Sequence, residues 1–159
     1  MSKSFVHLHA HTEYSMLDGA AKINDYLDRV KELNQPGAAI TDHGNLYGAL
    51  EFYHSALKKK LIPIIGYEAY VINDSRFDRP DRENNKRYHL TLLAENTAGY
   101  WNLVKMASKA FTEGYYYKPR VDYELLKDHS EGIIALSGCL GGEISQFLAP
   151  DGSVEEGNQ

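Results

Sequence analysis

Three histidines lie two residues apart near the amino terminus of the sequence: His7, His9 and His11. In an extended segment alternate side chains project from the same face, so the three imidazoles would form one row. Asp18-Gly19 follows as a turn that could bring a carboxylate back over that row. Imidazoles beside a carboxylate are typical ligands of zinc or another borderline transition metal. The pattern predicts a metal site; the alternatives are chance histidines on a surface strand or the remnant of an affinity tag, which would be a contiguous run.

Further candidate ligands occur where apolar, strand-like segments begin or end. These are Asp42 and His43 after 38–41, Glu68 after 61–66, His89 at the start of 89–94, and Cys139 after 133–137. Because β/α barrels gather their sites at the carboxyl ends of strands, this placement would bring distant residues together. Asp42 and His43 would face opposite ways on a regular strand, so we expect Asp42 to orient a ligand rather than bind metal. Cys139 is either a small buried hydrophobe or a ligand.

Helical patterns separate these strands. Apolar residues at helical spacing predict helices over 21–33, after a capping Asn45, from Asn96 onward, through 125–126 and over 143–148. In the second helix, the predicted packed face is Leu46, Leu50, Tyr53 and Leu57. Strands alternating with helices predict an α/β fold with a mostly parallel sheet. Five strands cannot close a barrel, so we expect an open sheet or the front portion of a longer fold.

Composition restricts the classes of protein that fit. The 159 residues are 43% hydrophobic and 25% charged, as expected for one globular domain. The net charge of -5 leaves no overall basic field that would hold nucleic acid. A single cysteine excludes an intrachain disulfide and suits a reducing compartment. With no apolar stretch of membrane-spanning length, the sequence predicts a cytoplasmic protein without a membrane partner.

A polar stretch at 73–87 and the tyrosine-rich segment at 115–120 carry most of the remaining charged and aromatic candidates. Acidic residues nearly cancel the arginines of 73–87, so we expect a solvated loop rather than a DNA-binding one. Arg120, beside three tyrosines, is a candidate for holding a substrate phosphate, because its planar fork suits paired oxygens. The alternative is that Arg120 pairs with Asp122. The 12 tyrosines are interpreted as core and rim packing rather than a base-stacking platform.

Four ordered motifs carry a resemblance to a known family: His9-Ala10-His11-Thr12, Thr41-Asp42-His43-Gly44, Gly66-Tyr67-Glu68 and His89. In order and spacing they resemble the polymerase and histidinol phosphatase (PHP) superfamily of metal-dependent phosphoesterases. Residues 5–19, 41–48, 63–70 and 118–122 more closely resemble the branch found at the amino terminus of bacterial replicative DNA polymerase III alpha subunits. The resemblance covers about 5–148.

This resemblance implies a fold and a ligand set. PHP domains are similar to a distorted (β/α)7 barrel, of which 1–148 would supply about the first five β/α units, followed by a polar tail at 149–159. Their strand ends hold up to three divalent metal ions, usually zinc or manganese. By this resemblance the ligands would be His9, His11, Asp18, His43, Glu68 as a bridge, His89 and Cys139. Asp42 would orient a ligand without binding metal itself. His7 occupies a position where the superfamily usually has aspartate, so its role as a ligand is not implied.

The resemblance also implies an activity, namely 3'-5' proofreading exonuclease within a parent polymerase that contacts DNA and other replicase subunits. Two departures limit it: no Asp-x-His motif follows Cys139, and no segment matches the polymerase palm. The chain alone is therefore expected to bind metal weakly and to lack polymerase activity. The alternatives are an inactive scaffold that binds a separate proofreading subunit and a free-standing phosphoesterase similar to histidinol phosphatase.

Overall fold

Strands and helices alternate along the computed structural model, which describes residues 5–16, 18–137 and 139–148; the predicted tail at 149–159 lies outside these residues. The strands are β1 (Gly37–Ile40), β2 (Ile62–Ile72), β3 (Tyr88–Ala94), β4 (Arg120–Asp122) and β5 (Ile133–Leu136). The helices are α1 (Ile23–Glu32), α2 (Ala49–Lys58), α3 (Thr97–Thr112), α4 (Tyr123–Asp128) and α5 (Glu143–Leu148). In these described ranges, none of the helices combines the length and apolarity needed to cross a bilayer.

The five strands form one mixed sheet in the order β1-β2-β3-β5, with β4 pairing with β2 beyond the end of β1. Strands β1 and β4 run parallel to β2, whereas β3 runs antiparallel to both β2 and β5. The α/β class is confirmed, but the mostly parallel sheet is a wrong prediction. The connection from β2 to β3 contains only a three-residue 3-10 turn, and a parallel return would require a crossover that is usually a helix.

Two clusters of apolar side chains hold the helices against the sheet. The first joins α1, β1 and α2 through Ile23, Leu27, Val30, Ile40 and Phe52, and the second joins β2, β3 and α3 through Tyr67, Leu92, Leu103 and Met106. Apolar burial of this kind contributes about 25 cal/mol per Å². Both clusters pack on the face of β2 that carries Ile65, Tyr67, Ala69 and Val71, which leaves Glu68 on the opposite face.

The predicted orientation of α2 is wrong. Its buried face consists of Ala49, Phe52 and Ala56, while the predicted Leu50, Tyr53 and Leu57 are exposed. Small residues at 49 and 56 let the helix approach the sheet closely, and the Phe52 ring fills the space between them. Asn45 does not cap this helix, because its side-chain oxygen accepts the N–H of Tyr47 one turn earlier.

The predicted first strand is also wrong, because 5–11 has no regular strand structure. The segment nevertheless lies beside β1. The backbone N–H of Ala39 donates to the carbonyl of His7, that of Thr41 donates to Ala10, and Ala10 N–H donates to the Thr41 hydroxyl at 2.8 Å. Contacts at only these points leave the segment bent, so the side chain of His7 does not share a face with those of His9 and His11.

The polar segment 73–87 is mostly exposed, as a solvated loop predicts, but it is anchored at the buried Arg76. Arg76 is only 7% exposed, and its Nη1 lies 3.0 Å from both carboxylate oxygens of Asp122. Its Nε donates to Glu113 at 2.8 Å, and its Nη1 lies 3.2 Å from Glu124. Asp122 also accepts the backbone N–H of Leu125 at the start of α4. The ion pairs therefore connect the segment to β4, α3 and α4.

Asp122 makes the stability of this anchor dependent on pH. Burial by itself would raise the pKa of Asp122, but N–H groups of Arg76 and Leu125 and the Arg76 charge hold it below the ordinary 3.8. Such a group stabilises the fold above its unfolded-state pKa, and the contribution is lost as pH falls through the folded-state pKa. Urea unfolding should therefore show wild type more stable than Asp122→Asn at neutral pH, with the gap closing below about pH 4. A pH-independent gap would contradict this expectation.

Candidate metal centre

Glu68 lies at the centre of the candidate site, in the middle of β2. Its side chain is 1% exposed. The backbone N–H of Glu68 donates to the carbonyl of Asp42 at 3.0 Å, and Gly44 N–H donates to the Glu68 carbonyl at 2.8 Å. These two bonds extend the β1–β2 pairing beyond the end of β1 and hold His43 beside Glu68. The prediction that the ligands lie at strand ends is therefore wrong for Glu68.

Four histidines surround the Glu68 carboxylate. His9 Nε2 lies 3.0 Å from Oε1, while His11 Nε2, His43 Nδ1 and His89 Nδ1 lie 3.7, 2.7 and 3.3 Å from Oε2. The nitrogens form two groups that share Glu68, one with His9 and His11 and the other with His43 and His89. His89 comes from near the amino end of β3 and reaches the site because β3 runs antiparallel to β2. The structure thus brings together five of the predicted ligands.

Cys139 and Asp18 lie at the margin of this cluster. Cys139 is partly buried, and its Sγ is 3.7 Å from His89 Nδ1. The Asp18 carboxylate is mostly exposed and contacts His43 Nε2 on the side away from Glu68. Cys139 therefore offers a ligand atom next to His89, and Asp18 offers one next to His43.

The cluster fits a divalent cation by two geometric criteria. Both Glu68 oxygens and His43 Nδ1 are buried without a hydrogen bond of acceptable geometry, despite the short separations around them. Buried carboxylates left without donors are costly, so a positively charged partner is expected between them and the imidazoles. The Nε2 atoms of His9 and His11 are 3.1 Å apart, and two ligands of one tetrahedral or octahedral zinc lie about 3.0 to 3.4 Å apart.

The electrostatics of the cluster favour binding of a cation. Burial would raise the pKa of Glu68, but the surrounding His43, His89 and His9 outweigh it and hold the pKa far below the usual range. Burial lowers the pKa of His11, and the neighbouring His43 lowers it further. His43 responds in the opposite way, because the Glu68 and Asp18 carboxylates outweigh its burial and raise its pKa. Burial and Glu68 raise the pKa of the Cys139 thiol.

Asp42 lies behind the histidines, buried and without direct contact to an imidazole. Its Oδ1 accepts the backbone N–H of Thr12 and the hydroxyl of Ser15, both at 2.6 Å, and its Oδ2 accepts the Thr12 hydroxyl at 2.7 Å. Asp42 is expected from the sequence to orient a ligand, but its contacts with Thr12 and Ser15 are not predicted. These contacts could have been predicted, because a buried aspartate beside His43 needs hydrogen-bond donors. Thr12 and Ser15, whose short side chains carry hydroxyl donors, follow the histidines in the sequence.

Two predicted residues lie outside the cluster. His7 is exposed and its ring packs on Phe5, so the three histidines do not form one row. Arg120 is 1% exposed, and its guanidinium donates to the backbone carbonyls of Gly114, Arg76 and Asp78 at 2.6–2.9 Å. Because the Arg120 side chain is buried and its Nε and Nη2 donate to backbone carbonyls, it is not accessible to a substrate phosphate. The predicted phosphate contact therefore does not hold in this structure.

The sequence of this chain is similar to those of known proteins. The family described as PHP domain matches residues 7–159. DNA polymerase III subunit alpha of Thermus aquaticus is 56% identical over 151 residues, which cover 92% of this chain and 12% of the relative. The corresponding subunit of Deinococcus radiodurans is 52% identical over 154 residues, with the same coverage. The chain thus spans about an eighth of the length of these relatives.

A comparison of folds finds an amidohydrolase of Chromobacterium violaceum with bound sulfate. The TM-score is 0.47 and the sequence identity 22%. The similarity covers 66% of this chain and 32% of that protein.

Proposed function

The chain belongs to the PHP domain family, and from this premise we propose that its histidine and carboxylate cluster holds divalent cations and hydrolyses phosphodiesters. The observation that carries the proposal is the pair of imidazole groups that share the buried Glu68 carboxylate. A carboxylate with imidazoles around both of its oxygens would be suited to binding more than one cation. Zinc and manganese are the proposed metals, since imidazole and carboxylate ligands suit both.

In this proposal each residue has a defined role. His9 and His11 would hold one cation with Glu68, and His43 and His89 would hold another, with Asp18 and Cys139 as further ligands at the margin. When bound, paired divalent cations stabilise the attacking and leaving oxygens of a phosphodiester and activate water. The protein contributes fixed ligand positions and a buried bridge. Asp42 orients the segment that carries His43.

Within a longer parent, the proposed reaction is removal of nucleotides from a DNA 3' end during replication. The support is the similarity to bacterial DNA polymerase III alpha subunits, of which this chain would be the amino-terminal PHP portion. DNA, other replicase subunits and a cytoplasmic location are part of the same proposal. The polymerase reaction would belong to other parts of that parent.

The test is metal-dependent cleavage of a 3'-labelled single-stranded oligonucleotide by the chain supplied with manganese or zinc. We expect weak cleavage, loss on chelation, and no rescue by either metal in the His11→Ala variant. His54→Ala is the matched control, since His54 is an exposed histidine on α2 and should leave cleavage unchanged. Equal cleavage by both variants would show that the cluster is not the catalytic site. Turnover of histidinol phosphate instead would favour the free-standing phosphoesterase.

Metal removal should also be visible in stability. A cation that binds only the folded state raises the free energy of unfolding by about 2.7 kcal/mol at one hundred times its Kd. We expect zinc to raise the thermal midpoint of wild type and of His54→Ala, and chelator to reverse the shift. His11→Ala should show a smaller shift. An unshifted wild-type midpoint at saturating zinc would favour the inactive scaffold.

A further inference from the structure

The Ser15 hydroxyl lies between the candidate ligand His11 and the buried carboxylate of Asp42. Its Oγ is 2.6 Å from Asp42 Oδ1, 3.3 Å from His11 Nδ1 and 3.1 Å from the backbone nitrogen of His43. Ser15 is 6% exposed, so solvent does not compete for these contacts. We propose that Ser15 is a positioning residue that holds the His11 ring with its proton on Nδ1 and its Nε2 lone pair facing Glu68. The role of Ser15 in metal binding rests on the proposed function of the cluster.

The assignment follows from the number of hydrogens available. The backbone N–H of His43 can only donate to Ser15, and the Asp42 carboxylate can only accept from it. The single hydroxyl hydrogen of Ser15 therefore goes to Asp42. Its oxygen is left as an acceptor, so the contact with His11 requires a hydrogen on Nδ1.

The position of this hydrogen determines what His11 offers to the site. A neutral imidazole carries one N–H, so protonation at Nδ1 leaves Nε2 with its lone pair. That Nε2 is 3.1 Å from His9 Nε2 and 3.7 Å from Glu68 Oε2, on the side where a cation is proposed. Metal-binding histidines usually donate their other N–H to a carboxylate or carbonyl, which fixes the ring. Here a serine connects the histidine to the carboxylate.

The same hydroxyl couples two of the ligand-bearing segments. It accepts from the backbone of His43 while facing His11, and the two imidazole rings are stacked with centroids 4.1 Å apart. Thr12 holds Asp42 in place with its backbone N–H and its hydroxyl. Ser15 is therefore one of the contacts between the first and second histidine motifs, and among these contacts it is the one that also reaches the His11 ring.

The first test reads the His11 tautomer in the metal-free wild-type chain. In ¹⁵N-labelled protein with chelator, at a pH where His11 is neutral, imidazole nitrogen chemical shifts distinguish a protonated Nδ1 from a protonated Nε2. We expect Nδ1 protonation for His11. A protonated Nε2 would overturn the proposal, and this result requires no variant to fold.

The second test compares Ser15→Ala with a matched control, Thr12→Val. Both changes remove one buried hydroxyl that donates to Asp42, but only Ser15 contacts His11. In Ser15→Ala we expect the Nε2-protonated tautomer of His11 to increase and zinc affinity, measured by calorimetry, to fall about tenfold or more. Thr12→Val should keep the wild-type tautomer. An unchanged tautomer and zinc affinity in folded Ser15→Ala would overturn the proposal.

These readouts separate the two proposals. The tautomer is measured without metal and without substrate, so zinc-loaded wild type that fails to cleave DNA would overturn the proposed hydrolysis alone. A tautomer shift in Ser15→Ala would support the role of Ser15 in that case as well.

Discussion

Replacing Glu68 by glutamine is expected to eliminate cation binding at the cluster and to slow phosphodiester cleavage at least about a thousandfold, or roughly 4 kcal/mol of transition-state stabilisation. The replacement keeps the size of the side chain and removes its charge. One carboxylate oxygen faces His9 and the other faces His11, His43 and His89, so the change affects both proposed cation positions at once. An amide nitrogen at either position cannot serve as a ligand.

Glu95→Gln is the matched control for this experiment. Glu95 is an exposed residue just after β3, and the same chemical change there should alter neither zinc affinity nor cleavage. Zinc binding is measured by calorimetry and cleavage with the 3'-labelled oligonucleotide, after circular dichroism shows that both variants are folded. Wild-type zinc affinity in Glu68→Gln would remove the central premise of the proposed function.

Replacing Arg76 by methionine is expected to lower the free energy of unfolding by about 3 to 5 kcal/mol. The change removes the only cation within bonding distance of Asp122 among the described residues, and it leaves that carboxylate buried with its charge. Glu113 loses its contact with Arg76 but keeps that with Lys109. Methionine preserves much of the apolar stem, so the loss measures the charge and its hydrogen bonds rather than packing volume.

Arg29→Met provides the comparison. Arg29 pairs with Glu32 on the exposed face of α1, and exposed pairs of this kind contribute at most about 1 kcal/mol. Urea unfolding at neutral pH should therefore separate the two variants clearly. Similar losses in both would mean that Arg76 contributes no more than a surface ion pair.

Most residues of the candidate site could be predicted from the sequence, because their side chains are of types that bind metal ions. His9, His11, His43, Glu68 and His89 were selected by residue type, spacing and resemblance, and the structure brings them together. His7 was included in the row because alternation assumes a regular strand. The bend in 5–11 depends on which few of its backbone groups bond to β1, and residue types do not show this.

The direction of β3 was predictable in principle. The segment 73–87 was correctly interpreted as lacking a helix, and a parallel return to the sheet usually requires one. The absence of a helix in this connection therefore favours an antiparallel β3. The face of α2 was less accessible, because this helix has apolar residues on several sides and only the shape of the sheet determines which are buried.

The roles of the two buried arginines could not be found from the sequence. Arg76 lies 37 positions from Glu113 and 46 from Asp122 along the sequence, and Arg120 bonds to backbone carbonyls rather than to side chains. Neither a long-range ion pair nor a bond to a backbone carbonyl produces a recognisable pattern in the neighbouring sequence. The charges in 73–87 therefore indicate a solvated loop, although one of them, that of Arg76, is buried in contact with three carboxylates.

Glu68 is the seventh of the eleven residues of β2, a strand hydrogen-bonded along both of its edges. Amides in such a strand exchange with deuterium only when a large cooperative unit opens. The backbone at Glu68 should therefore exchange as slowly in chelator as the slowest amides of the chain. Cations could then leave and return many times while their common anchor keeps its position.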